Sequence, residues 1–530
     1  MLYFYLAVAP LLLYFLIKTK KVMLIFQQNR YNEANYYWRW VYKNIGKELI
    51  TYDLVFIPLY LISLFSAPTY LFFMYPIVYV IIIFLYVSSV KKEQKKIPLA
   101  YTKRVKRLHF TLFLLYGLVC YFLTRKYSEN IISLYYLVIA LMVYFEFITI
   151  YIANIINQPV EKLINKYYWV KAHNSLKNMK GMEVIGITGS YGKTTTKNVI
   201  SEILNVKYNA FPTPRNFNTV AGLCNTVNNY LDKFNDYFIA EMGANHVHEI
   251  GQECKLVEPK YGVLTTIGVA HLETFGSMEN IENTKFELIE SLPSDGLGIL
   301  NGDDPIQLNH KIKNDVKIMM IGIDNTDVDC YAKNIRLSYK GTKFDVVFKG
   351  DNNSYEFETS LLGKANIYNL LSGILLGKYL GIDIDRLKMG VKNVKPYEHR
   401  LQLKKSGDIN IIDDAYNSNP VGSKMAAEVL GMMPGTRIIV TPGMIELGEA
   451  QDELNKKFGT YIADAKIDEV ILVGEKQTKP IYEGLKEKKF NEKNIHVIND
   501  VKLAFPLIEK LKGKETYVLL ENDLPDLFNE

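Results

Sequence analysis

The run Gly189-Ser190-Tyr191-Gly192-Lys193-Thr194-Thr195 holds, close together and in order, the residue types that grip a phosphate chain. Backbone N–H groups at the start of a helix cradle an anion, a lysine reaches the terminal phosphates, and the hydroxyl after it can ligate Mg2+. The apolar run Val184-Ile185-Gly186-Ile187 and a helical period from Thr194 onward predict strand, glycine turn and helix. Where a standard phosphate loop has glycine, five residues before Gly192-Lys193, this chain has Ile187; the glycine falls at 189 and the loop is short. The pattern predicts ATP bound with Mg2+.

More polar motifs follow in order. They are Arg215-Asn216-Phe217-Asn218-Thr219, then Phe238-Ile239-Ala240-Glu241-Met242-Gly243-Ala244-Asn245-His246, then Gly268-Val269-Ala270-His271-Leu272-Glu273 and Thr284-Lys285-Phe286-Glu287. Further on stand Gly363-Lys364-Ala365-Asn366, His399-Arg400-Leu401, Asp413-Asp414-Ala415-Tyr416-Asn417-Ser418-Asn419-Pro420 and Gly443-Met444-Ile445-Glu446-Leu447-Gly448.

Together with the short loop, these motifs resemble those of the Mur ligase family, in particular the branch that adds D-alanyl-D-alanine to the muramoyl tripeptide. The resemblance covers residues 181–450 strongly and reaches 520 in outline. It implies an ATP-dependent, ADP-forming ligase that activates a carboxylate as an acyl phosphate and joins it to an amine. It implies ATP contacts from Gly189, Ser190, Tyr191, Gly192, Lys193, Thr194, Thr195, Asn366, Arg400 and Asp414. Thr194, Glu241, His271 and a carbamylated Lys285 would hold Mg2+. Lys193, His271, Lys285 and Arg400 would be catalytic, and Asn216, Asn218, Tyr416, Asn417 and Asn419 would meet substrate.

The chemistry suits those types. A phosphate and a carboxylate must approach each other, so Lys193, Arg400 and Mg2+ supply positive charge. Oxygen donors fit a hard cation. Lys285 as encoded is cationic and repels metal; carbamylation makes it an anion.

The elements that must carry this chemistry divide into an apolar first third and an α/β remainder. The chain has 530 residues, a net charge of +6 and four scattered cysteines without CxxC spacing, read as reduced thiols. Apolar runs at about 2–17, 52–66, 69–90, 109–124 and 131–153 are separated by basic loops at 18–50 and 91–107. These predict an α-helical membrane domain over 1–155 with about five transmembrane helices, and a multi-pass protein of the inner or plasma membrane. The catalytic domains are then cytoplasmic, where ATP is. Charge clustered near the apolar runs favours a membrane partner and argues against nucleic acid. Glu146 inside the fifth run is a functional candidate.

A connector helix over 156–180 leads to a P-loop ATPase central domain at 181–395 and a smaller Rossmann-like C-terminal domain at 396–530, from the alternation of strand and helix patterns. Two departures from the family bear on substrate. The apolar third occupies the place of a UDP-sugar domain, and the last strand runs into acidic Glu521-Asn522-Asp523-Leu524-Pro525-Asp526 where the branch has a basic turn. The expected reaction is therefore ligation at the membrane, between a carboxylate-bearing glycan or peptide acceptor and an amino-acid or dipeptide amine, in cell-envelope synthesis. Alternatives are authentic addition of D-alanyl-D-alanine to the UDP-muramoyl tripeptide, a polyglutamate-type synthetase, and an ATP-binding membrane regulator without ligase activity.

Overall fold

Leu-, Ile- and Tyr-rich runs coil into helices in the first of two units, Met1–Lys166 and Tyr167–Glu530, seen in the computed structural model. The structure describes residues 2–55, 71–92, 98–125, 132–416, 418–445 and 447–523. The first unit holds α1 (Leu2–Gln28), α2 (Tyr36–Lys43), α3 (Leu71–Lys92), α4 (Lys103–Arg125), α5 (Ile132–Tyr144) and the start of α6 (Glu146–Asn178). Tyr14, Phe15, Met23, Phe26, Tyr37 and Val105 are buried in its core.

The five-span membrane domain is corrected here. Among the described residues one helix, Lys103–Leu123, is long and apolar enough to cross a membrane; counting the pair Leu137–Tyr144 and Glu146–Asn178, bent by 80°, there are at most two. Most of the run 52–66 lies outside the described residues. The physical reason is that hydropathy does not say what an apolar side chain meets. Tyr14, Phe15 and Phe26 meet other side chains of the unit. Lys18, expected in a basic loop, continues α1 and is buried, donating to Asp53 Oδ2 at 2.7 Å and to the Val143 and Tyr144 carbonyls that end α5. Glu146 is buried at the start of α6, accepting from the Thr19 hydroxyl.

The second unit is built on two sheets. After β1 (Glu183–Thr188) come α7 (Lys193–Leu204), β2 (Ala210–Pro212), α8 (Val220–Asn229), β3 (Tyr237–Glu241), α9 (Glu249–Val257), β4 (Tyr261–Leu264), α10 (Met278–Glu290), β5 (Leu297–Asn301), β6 (Lys317–Gly322), β7 (Cys330–Ser338), β8 (Gly341–Phe348), β9 (Ser354–Thr359), α11 (Ala365–Tyr379) and α12 (Ile384–Asn393). The strands form one nine-stranded sheet in the order β2-β3-β1-β4-β5-β6-β7-β8-β9, parallel through β7 and antiparallel from there to β9. β1, β3, β4 and β5 are almost wholly buried, as parallel strands covered on both faces must be.

The second sheet is formed by β10 (Gln402–Ser406), β11 (Ile409–Asp414), β12 (Thr436–Thr441), β13 (Glu469–Val473), β14 (Ile495–Ile498) and β15 (Thr516–Glu521), in the order β10-β11-β15-β12-β13-β14. α13 (Pro420–Gly431), α14 (Gln451–Asp464), α15 (Glu475–Glu487) and α16 (Ala504–Leu511) complete this domain. In the first sheet the chain winds out to β2 and β3 on one side of β1, then crosses to β4 on the other. The crevice at the carboxyl end of β1 is thus a topological switch point, where ligands of open α/β sheets bind.

Candidate active site

Residues 189–192 leave the carboxyl end of β1 and turn into α7. The turn requires glycine twice. Gly189 has φ 147°, and a Cβ there would lie 2.0 Å from Thr265 Oγ1; Gly192 has φ 86°. Lys193 curls back, donating to the Gly189 carbonyl at 2.7 Å and the Ser190 carbonyl at 3.0 Å. Burial lowers its pKa, opposed by Glu241 and reinforced by Arg400.

The loop is braced against the segment leading to His271. The Tyr191 hydroxyl donates to the Val269 carbonyl at 2.6 Å, the Ser190 hydroxyl to the Gly268 carbonyl at 2.9 Å, and the Thr265 hydroxyl to the Tyr191 carbonyl at 2.6 Å. His271 itself has φ 53°, left-handed for a residue with a side chain.

Glu241 ends β3, in register with Ile187 of β1, so its carboxylate lies beside the loop. Its Oε1 accepts from Thr194 Oγ1 at 3.0 Å and from Asn218 Nδ2 at 3.2 Å. Its Oε2 lies 2.9 Å from Lys197 Nζ but is buried without a hydrogen bond. A hydroxyl and a carboxylate are hard oxygen donors of the kind Mg2+ takes, so the residues fit that ion by their chemistry. Among the described residues no three His, Cys, Asp or Glu side chains gather as a metal cluster.

Two cavities flank the loop. A recess of about 420 Å³ is lined by Gly189, Ser190, Lys193, Asn218, Asn245, His271, Phe275 and Lys285, among others. A cleft of about 760 Å³ lies between the two α/β domains, lined by Tyr191, Gly192, Thr195, Asn366, Arg400, Asp414, Ser418 and Asn419, among others. Thr194 and Glu241 line neither cavity and are hydrogen-bonded to each other. Asn216 and Tyr416 line neither cavity; Asn216 Nδ2 donates to the Tyr416 hydroxyl at 2.6 Å, joining the domains. The Arg400 guanidinium lies over the Tyr416 ring, 4.7 Å from its centre. Asn419 caps α13, accepting from Gly422 N at 2.8 Å. Asn417 and Glu446 lie outside the described residues.

Lys285, on α10, is 3% exposed. Burial, with Lys193 adding to it, pushes its pKa down to about 7. Burial of this kind favours the uncharged amine. Asp414 moves the other way, pushed up to about 7 by burial and by Glu521, with Arg400 opposing.

Four residues of this site carry no role assigned from the sequence, although Ser418 stands inside the motif at 413–420. Lys197 neutralises Glu241. Glu253 on α9 is buried with Oε2 unpartnered; burial holds its carboxyl well above the usual range, and Lys285 and Lys193 pull it back. Asn369 accepts from the Thr196 hydroxyl at 3.0 Å, and Ser418 donates to Glu521. Lys197 had a legible signal, standing four residues after Lys193 on the same helical face. The other three are brought in by tertiary packing.

A glycine loop at the switch point of one largely parallel sheet, faced across a cleft by a second, largely parallel α/β domain, defines a two-domain nucleotide-binding protein. The Mur ligase middle domain matches residues 187–377 and the Mur ligase glutamate ligase domain matches 399–521. The chain is 34% identical over 297 residues to the UDP-N-acetylmuramoyl-tripeptide–D-alanyl-D-alanine ligase of Bacillus subtilis, covering 56% of this chain and 63% of that one. It is 30% identical over 348 residues to the ligase of the same name from Buchnera aphidicola, covering 65% of this chain and 73% of that one. A structure of the MurF ligase from Thermotoga maritima in complex with ADP superposes with a TM-score of 0.60 at 25% identity, over 69% of this chain and 81% of that one. The chain belongs to the Mur ligase family. It spans slightly less than two thirds of the Bacillus relative.

Proposed function

We propose that this chain is an ATP-dependent, ADP-forming ligase that activates a peptide carboxylate and joins it to the amine of D-alanyl-D-alanine, on a UDP-N-acetylmuramoyl tripeptide, in peptidoglycan synthesis. The observation that carries the reading is the convergence of Lys193, His271 and Lys285 on one recess beside the Thr194–Glu241 pair. The names and 30–34% identities of the relatives support the choice of amine and acceptor.

In this reading the loop N–H groups and Lys193 hold the phosphates, and Arg400 closes from the second domain. Lys193 and Arg400 offset the charge that builds as the carboxylate attacks the terminal phosphorus and ADP leaves. Thr194 and Glu241 would hold Mg2+, which would supply further charge neutralisation there. Lys285, carbamylated, joins His271 in orienting the carboxylate side of the recess. The amine then attacks the acyl carbon, an amide forms, and phosphate departs; closure of the second domain keeps water from the acyl phosphate.

The test is direct. Full-length protein, ATP, Mg2+, the UDP-muramoyl tripeptide and D-alanyl-D-alanine should give ADP and a product heavier by the dipeptide less water. ADP release that ignores both substrates would defeat the reading.

A second reading concerns where the acceptor is held. α4 exposes Phe110, Phe113, Leu114, Leu118, Tyr121 and Phe122 at helical spacing, with exposed Lys103 and Lys106 at its start. An apolar face bounded by cations suits an anionic lipid surface. This is contact with a membrane rather than a five-span domain. It favours an envelope glycan or peptide acceptor presented at the cytoplasmic leaflet. The full chain should float with anionic vesicles, and Phe110→Asp with Phe122→Asp should weaken flotation; undiminished flotation of the double variant would refute the contact.

A further inference from the structure

We propose that Glu521 and Asn522 are positioning residues for the nucleotide cleft, clamping the loop of Ser418 to the end of β12. The proposal rests on the ligase reading of that cleft. β15 ends at Glu521, flanked by the ends of β11 and β12: Asp414 pairs with Glu521 in register, and Val440 pairs with Leu520. The Glu521 side chain is fully buried. Its Oε1 accepts from the Ser418 hydroxyl and its Oε2 from the Thr441 hydroxyl.

Asn522 completes the grip. Its backbone is left-handed, φ 65°, a conformation asparagine tolerates better than most residues. Its side chain accepts from Ser418 N at 3.2 Å and donates to the Gly443 carbonyl at 2.6 Å. Gly443 N donates to Thr441 Oγ1 at 3.0 Å. Ser418 is thus held twice, by hydroxyl and by N–H.

What the clamp holds is the cleft wall. Ser418 and Asn419 line the cleft with Arg400 and Asp414. Two residues before Ser418, the Tyr416 ring lies under Arg400. A carboxylate suits the position because it accepts from both hydroxyls at once, whereas an amide must donate to one of them and an ammonium to both. The acidic ending of β15 therefore has a role inside the fold.

The experiment compares wild type with Ser418→Ala, Glu521→Ala and Glu521→Gln in the full chain. It measures ATP affinity by calorimetry, KM and kcat by ADP release, and the thermal midpoint. Ser418→Ala and Glu521→Ala should each raise both Kd and KM for ATP about tenfold, with kcat changed less than threefold. Glu521→Gln should fall between them and wild type. If Glu521→Ala melts early, Ser418→Ala, which removes one hydroxyl, carries the test. Unchanged ATP Kd in Ser418→Ala, or a fall in kcat at unchanged Kd, overturns the clamp. A wild type that binds ATP but forms no amide defeats the ligase reading instead, and the binding arm still decides the clamp.

Discussion

Lys197 Nζ lies 2.9 Å from Glu241 Oε2, and both side chains are 1% exposed. Lys197 also donates to the Arg215 carbonyl at 2.5 Å, so one buried cation ties α7 to the acid of β3 and to the segment carrying Asn216 and Asn218. Removing one member of a buried pair leaves the other charge uncompensated, at a cost of about 3–5 kcal/mol. Lys197→Met should therefore lower unfolding free energy by about that amount. Mg2+ with ADP should restore part of it, by supplying positive charge to Glu241. Urea unfolding with and without Mg-ADP measures both; an unchanged midpoint would show that Glu241 does not depend on the pair.

Lys193→Ala should act on rate rather than on folding. The lysine's hydrogen bonds go to the Gly189 and Ser190 carbonyls of its own loop, and its partners in catalysis are phosphates. Loss of a few kcal/mol of transition-state stabilisation is about a hundredfold or more in rate. ADP release should fall by at least that factor while the thermal midpoint stays within a few degrees. Wild-type turnover in the variant would remove the loop from the reaction.

As the unmodified amine, before carbamylation, Lys285 gives a signed pH effect. Its folded pKa is about 7 against an ordinary 10.5. Between those values the unfolded chain binds more protons than the folded one, so this residue makes stability rise with pH across that window and fall as pH drops through it. Lys285→Met should flatten the rise between pH 7 and 10.5. Lys285→Ala should also be nearly inactive and partly rescued by short carboxylates, which replace the carbamate anion. Full activity without rescue would make Lys285 a spectator.

The α/β part was legible because its signals are local. A β-branched run before Gly189 and a helical period after Lys193 predict β1 and α7 from sequence neighbours alone. Thr194 and Glu241 lie 47 residues apart yet meet at 3.0 Å, and it was the family resemblance, not spacing, that put them in one site. Lys197 had only its helical spacing from Lys193 and Glu253 had no prompt; their roles come from burial and tertiary packing. The N-terminal third misled for a physical reason. Hydropathy counts apolar residues but not their partners, and Lys18 with Asp53 shows that charges sit inside that unit's core.

Tyr191→Phe should loosen the brace between the phosphate loop and His271. The lost bond, hydroxyl to Val269 carbonyl at 2.6 Å, leaves a carbonyl to be satisfied by water or not at all. A hydrogen bond of this kind is worth about 1 kcal/mol. The expected result is a several-fold rise in the Mg2+ concentration needed for half-maximal rate, with ATP affinity nearly unchanged. A shift in ATP affinity alone would place Tyr191 in the cleft's chemistry rather than in the brace.

Tyr416 separates two ways of closing the cleft. Its hydroxyl receives Asn216 Nδ2 at 2.6 Å, and its ring faces Arg400 at 4.7 Å. The hydroxyl bond joins the domains directly, whereas the ring sets the direction of the Arg400 guanidinium. A half-exposed hydrogen bond contributes about 0.5–1.5 kcal/mol, and a cation–π contact about 0.5–2 kcal/mol, more as the pair is desolvated. Tyr416→Phe keeps the ring and should lower kcat/KM only a few-fold. Tyr416→Ala loses both contacts and removes the ring under Arg400, so kcat/KM should fall about thirtyfold or more, since each 1.4 kcal/mol is tenfold. The loss should appear mainly in kcat, because Arg400 is needed most when charge builds on the transferring phosphoryl group. Steady-state kinetics of the two variants beside Asn216→Ala decide the matter. If phenylalanine and alanine are equally impaired, and Asn216→Ala matches them, the interdomain hydrogen bond governs closure and the ring's hold on Arg400 does not.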